Sequence, residues 1–66
     1  MAIVLRTIIA YRSSNKKRQE EMAEILGITR CSYANKEKGK TEFTANEIGV
    51  MAKEFNISPA RFYEEL

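Results

Sequence analysis

"QEEMAEILGITRCSYANKEKGK", residues 19–40, carries two apolar patterns of helical spacing joined at a glycine. In the first, Met22, Ile25 and Leu26 mark an inward face, and Glu20 and Glu21 stand in the first turn, where carboxylates suit the helix dipole. Gly27 fits the position just past the helix end, so the spacing predicts a helix over 19–26. Thr29 then serves as an N-cap, with Ile28 before it and Tyr33 after it placed to close a hydrophobic staple. The next helix is expected from about Arg30 to Glu37, stopping near Gly39. Two short helices joined by so tight a turn cross steeply, and Ala23, small and mid-way along the first, lets them approach. Gln19, Ala23, Gly27, Ile28 and Tyr33 in this register make a helix-turn-helix signature.

The same logic extends in both directions. Leu5, Ile8 and Ile9, with Arg12 continuing their face, favour a helix over residues 3–12, while their β-branched neighbours leave a strand as the alternative. "SSNKK" ends it, with Asn15 able to take a left-handed turn. Thr44 and Glu47 form a capping box, with Phe43 and Ile48 as its staple. That helix runs to about Phe55, with Ile48, Met51, Ala52 and Phe55 facing inward. Gly49 inside it costs about 1 kcal/mol relative to Ala, so either two backbones meet there or the site is a weak spot. Ser58 caps a last helix with Pro59 at its first position and Ile57 and Phe62 as its staple. The fold class expected is all-α: a compact five-helix bundle containing a helix-turn-helix, one domain over 1–66.

Composition removes several classes of function. There is no histidine and no aspartate, which excludes histidine-based acid–base catalysis and a Ser–His–Asp relay. A single cysteine allows no intrachain disulfide and has no histidine to activate it, so no enzyme and no cofactor or metal is expected. "MAIVLRTIIA" has Arg6 in its middle and no cleavage site, and no apolar run approaches the roughly 18 residues of a membrane span. Charge is unevenly placed. Residues 1–40 hold nine Lys/Arg against four Glu, and residues 41–66 hold two against five. Such a basic half points to a nucleic-acid partner or, more blandly, to a solvated surface.

"QEEMAEILGITRCSYANKEKGK…AKEFNIS" resembles the lambda-repressor-like helix-turn-helix domains of the Cro and phage-repressor (XRE) family over residues 4–63. The resemblance implies a five-helix bundle that binds operator DNA as a dimer, a cytoplasmic location in a bacterium or its phage, and an ion pair between Arg12 and Glu37. It also implies that the third helix enters the major groove. Base contacts are then assigned to Thr29, Arg30, Cys31 and Asn35: Arg30 can bridge guanine O6 and N7, Asn35 can pair with adenine, and Thr29 and Cys31 can touch a thymine methyl. Phosphate contacts are assigned to Arg18, Gln19, Ser32, Lys38 and Lys40. Pro59, Tyr63 and Leu66 form a candidate two-fold dimer patch, which would set two recognition helices roughly 34 Å apart.

Three residues depart from the family pattern. Lys17 and Lys36 stand where apolar residues are usual, and Arg18 stands where a Ser, Thr or Asn cap is usual and has no side-chain acceptor. A thinner core and a less firmly held third helix are expected there. The function expected is a sequence-specific double-stranded DNA-binding regulator, a repressor without a small-molecule ligand. The alternative is a protein–protein module, antitoxin or adaptor, on the same fold.

Overall fold

A computed structural model describes residues 3–64, within which lie α1 (Leu5–Ser14), α2 (Gln19–Leu26), α3 (Arg30–Glu37), α4 (Ala45–Glu54) and a terminal 3₁₀ turn (Pro59–Tyr63). The helix-turn-helix bounds match the spacing of residues 19–40. The first helix begins and ends two residues later than its apolar pattern suggests, and the strand alternative is not adopted.

The fifth helix is a correction. Ser58 does cap the segment, its Oγ accepting from Ala60 N at 3.4 Å, but the bonds that follow are of the tighter type: Arg61 N donates to Ser58 O at 3.0 Å and Glu64 N to Arg61 O at 3.2 Å. Five residues are too few to offset the cost of α-helix nucleation, and short pieces settle into 3₁₀ geometry.

All four α-helices end in one device. A residue in the left-handed region follows each, and its N–H and that of the next residue turn back to the last carbonyls. The pairs are Lys16 N to Ser13 O and Lys17 N to Arg12 O after α1, and Gly27 N to Glu24 O and Ile28 N to Ala23 O after α2. Gly39 N to Lys36 O and Lys40 N to Asn35 O close α3, and Asn56 N to Lys53 O and Ile57 N to Ala52 O close α4. The left-handed residue after α1 is Lys16 (φ 56°), not Asn15, whose φ is −92° and whose side chain instead donates to Tyr11 O at 2.8 Å.

The starts are equally regular. Thr29 Oγ1 accepts from Ser32 N at 3.1 Å. Thr44 and Glu47 complete a reciprocal box, with Glu47 N donating to Thr44 Oγ1 at 3.1 Å and Thr44 N to Glu47 Oε1 at 2.8 Å. Arg18 offers no acceptor, yet Glu21 Oε1 reaches back to its N–H at 3.0 Å, so half a box survives.

The core consists of Ile8, Met22, Ala23, Tyr33, Phe43, Ile48, Met51, Ala52, Phe55 and Phe62. Tyr11 stacks on Phe55 and meets Phe62 edge-on, and Tyr33 meets Phe43 edge-on with ring centroids 5.9 Å apart. Ile25 and Leu26 pack only partly against it. Ile9 is a further correction: it is 38% exposed, while Thr7 on the opposite flank of Ile8 is buried. The 3₁₀ turn lies on the Thr7 side. Thr7 Oγ1 donates to Glu64 O at 2.6 Å, and Val4 N donates to Phe62 O at 2.8 Å, so the two ends of the described chain are tied together.

Candidate nucleic-acid interface

The site starts from a carboxylate at the back of α3. Tyr33 and Glu37 are one helical turn apart, so both point from α3 toward α1. Arg12, near the end of α1, meets Glu37 with two parallel bonds, Nε to Oε2 at 2.7 Å and Nη2 to Oε1 at 3.1 Å. Tyr33 Oη donates to Oε2 at 2.7 Å and Gln19 Nε2 to Oε1 at 2.9 Å. Arg12 Nη1 also donates to Lys17 O at 3.1 Å, fixing the loop between α1 and α2. Burial by itself would raise the Glu37 pKa, but the bonds from Arg12, Gln19 and Tyr33 outweigh it and hold the carboxyl below its ordinary value. Burial, and then the bond to Glu37, push the Tyr33 hydroxyl well up, so it stays a donor.

With α3 fixed from behind, its other face is open. Cys31 and Asn35 lie nearly opposite Tyr33 on the helix, with Ser32 and Thr29 beside them. Thr29, Arg30, Cys31 and Ser32 are exposed. Asn35 is half-buried, and its backbone O accepts from Lys40 N at 2.9 Å. Thr29 Oγ1 is occupied as the acceptor of the cap, which leaves its O–H as a donor beside its methyl. Arg30 is set to one side. It shares a shallow groove with Arg12, Lys17, Arg18, Gln19 and Glu20, at the adjoining N-terminal ends of α2 and α3.

The structure thus groups Arg30 with Arg18 and Gln19 rather than with Cys31 and Asn35. Gln19 is turned inward, its amide given to Glu37, and its backbone N–H is one of those that the first turn of α2 leaves without a helical partner. Lys38 and Lys40 are exposed just past the other end of α3. Among the described residues Lys16, Arg18, Arg30, Lys38 and Lys40 form no ion pair. Cations therefore flank both ends of a helix about 12 Å long, close to the width of the DNA major groove. The acids of α2 are exposed as well: Glu21 and Glu24 lie away from the groove that holds Arg30, and Glu20 borders it.

The departures from the family pattern prove to be compensated. Lys17 Nζ lies 3.5 Å from Glu54 Oε2 near the end of α4. Lys36 Nζ lies 3.0 Å from Glu47 Oε1, donates to Glu42 O at 3.0 Å, and sits 6.0 Å from the centroid of the Phe43 ring. Sequence reasoning missed Glu42 and Glu47 as partners of Lys36, and Gln19 and Tyr33 as partners of Glu37. Only the Tyr33–Glu37 spacing of four residues gave a local signal.

The dimer candidates are not gathered. Leu66 lies outside the described residues. Pro59 is exposed, and in 3₁₀ geometry it lies roughly 120° from Tyr63 around the helix, where an α-helix would bring the two within about 40°. Tyr63 instead lines a cleft with Ile3, Leu5, Thr41, Glu42 and Phe43. Among the described residues no helix is long and apolar enough to cross a membrane, and no cluster of potential metal ligands occurs.

A helix-turn-helix family model matches residues 8–62, most of the chain. No curated protein and no solved structure gives a significant match. The family, of XRE type, is one of DNA-binding transcription regulators, not typically of enzymes.

Proposed function

The chain belongs to this helix-turn-helix family, and on that premise we propose that it is a sequence-specific repressor that lays α3 into the major groove of a near-palindromic operator. The observation that carries this reading is the arrangement of cations and polar groups around α3. Its back is fastened by Glu37, its open face presents Cys31, Ser32 and Asn35, and exposed, unpaired cations stand at both ends. Arg18 and the first turn of α2 on one side, and Lys38 and Lys40 on the other, suit the two phosphate ridges that border the groove. Asn35 suits adenine, Arg30 reaches either guanine or the phosphate beside Arg18, and the Thr29 methyl and the Cys31 side chain suit a thymine methyl. Binding as a two-fold dimer would read both halves of the operator, and occlusion of a promoter would then repress.

Titration against genomic DNA fragments at two salt concentrations tests the reading. Specific complexes should survive competitor DNA and weaken steeply as salt rises. Asn35→Ala should relax sequence preference, while Lys40→Ala should weaken all sites alike. A protein with no preference above random DNA would sink the proposal, and equal effects of the two substitutions would sink the division into base and phosphate contacts.

A further inference from the structure

We propose that the Lys36–Glu47 pair is a positioning clamp that fixes the far side of the loop between α3 and α4, and so holds Lys40 in register for DNA. This rests on the DNA-binding reading above.

Lys36 is the last cation within α3, yet it points inward, and its side chain is only 14% exposed. Its ammonium joins three segments: its own helix, the loop through Glu42 O, and the start of α4 through Glu47 Oε1. That same oxygen of Glu47 accepts from Thr44 N, so one atom both caps α4 and holds α3. Burial disfavours the charged Glu47, but the bonds from Thr44 and Lys36 outweigh it and hold its pKa below the ordinary value.

The loop's near end is fixed by backbone, through Gly39 N to Lys36 O and Lys40 N to Asn35 O. Its far end, Thr41 to Phe43, is held by burial of Phe43 and by the bond from Lys36 to Glu42 O. An apolar side chain at position 36 could pack on Phe43, though without the ammonium that lies 6.0 Å from the ring centroid. It would bind neither the carbonyl nor the carboxylate. Lysine at this position therefore does something packing does not require: it tethers the segment just past Lys40, so that Lys40 is held from both sides. A tethered ammonium meets a phosphate without the entropy loss of first ordering the loop.

The test uses Lys36→Met, which keeps most of the stem, and Glu47→Gln, which keeps the Oε1 acceptor of the Thr44 cap and removes the charge that holds the Lys36 ammonium. Both should melt cooperatively, and in the DNA-free protein amide exchange at Glu42 and Phe43 should speed up in each. Both should bind specific DNA more weakly, with a plot of log affinity against log salt shallower by about 0.9 for each phosphate no longer neutralised. Lys40→Ala, which weakens the parent protein, should add little in either background. Glu47→Gln is the sharper arm, because it makes the protein more positive and general attraction alone would tighten binding. Tighter binding by Glu47→Gln, or an undiminished effect of Lys40→Ala in the Lys36→Met background, would overturn the clamp. If Lys36→Met does not fold, Glu47→Gln still decides. Failure of the parent protein to prefer any DNA would instead remove the reading beneath it.

Discussion

Glu37 receives Arg12, Gln19 and Tyr33 on two oxygens, and no other side chain in the described structure joins three helices through hydrogen bonds. Its Arg12 pair has side chains 16% and 5% exposed. Removing one partner from such a pair strands the other charge, so Glu37→Ala should cost about 3–5 kcal/mol in chemical denaturation, a large share of the roughly 5–15 kcal/mol typical of a domain. A loss below about 1 kcal/mol would show that water replaces the bonds. The same residue predicts a pH dependence. The carboxyls of Glu37 and Glu47 both titrate lower folded than unfolded. The folded state thus binds fewer protons, and its extra stability is fully present above the ordinary glutamate value of 4.5. It is lost as pH falls through the depressed folded values. Glu37→Gln should flatten the acid limb of the stability curve, and an unchanged limb would assign acid unfolding to other groups.

At the scale of single elements, two glycines that look alike in sequence have opposite roles. Gly39 closes α3 with φ of +85°, and a Cβ there would meet Leu5 Cδ1 at 3.2 Å. Gly49 lies in α4, and a Cβ at that position would meet nothing within 4 Å, so of its two sequence readings the weak spot is the one that fits. Gly49→Ala should stabilise by about 1 kcal/mol, raising the melting temperature by about 4–8 °C. Gly39→Ala should destabilise by about 1–2 kcal/mol from its backbone conformation alone. Thermal melts of the two variants read both signs at once, and a shared sign would contradict the geometry.

For the molecule as a whole, the separation of charge matters most. The basic residues 1–40 supply the unpaired cations around α3, while acidic residues of the later half are partly engaged with Lys17 and Lys36 through Glu54 and Glu47. The inner pair is the one with structural weight, since ion pairs as exposed as Lys17–Glu54 contribute about 0–1 kcal/mol. The proposed dimer belongs to this scale as well. Sedimentation over a concentration series should show mass rising toward twice that of the monomer, with DNA shifting the equilibrium further toward the dimer. Mass fixed at one chain, with one chain bound per operator, would remove the two-fold model.

Local chemistry was enough for most of the elements. Caps at Thr29, Thr44 and Ser58, the left-handed Gly27 and Gly39, and the apolar spacing of α2 and α4 act within a few residues, where sequence distance and spatial distance are nearly the same. The outward placement of Cys31 and Ser32 follows from Tyr33 by helical geometry alone. Three things depended on distant segments. Thr7 rather than Ile9 is buried because the chain's far end packs on that side of α1. The last segment is 3₁₀ because it has only five residues to fit between Ser58 and the carbonyl that Thr7 holds. Lys36 anchors α3 despite its charge because Glu42 and Glu47, brought up by the turn into α4, give it a carbonyl and a carboxylate where an apolar side chain was expected. Hydrogen bonds and ion pairs have no periodicity along a chain, so which partners a polar side chain finds is settled only when the helices pack.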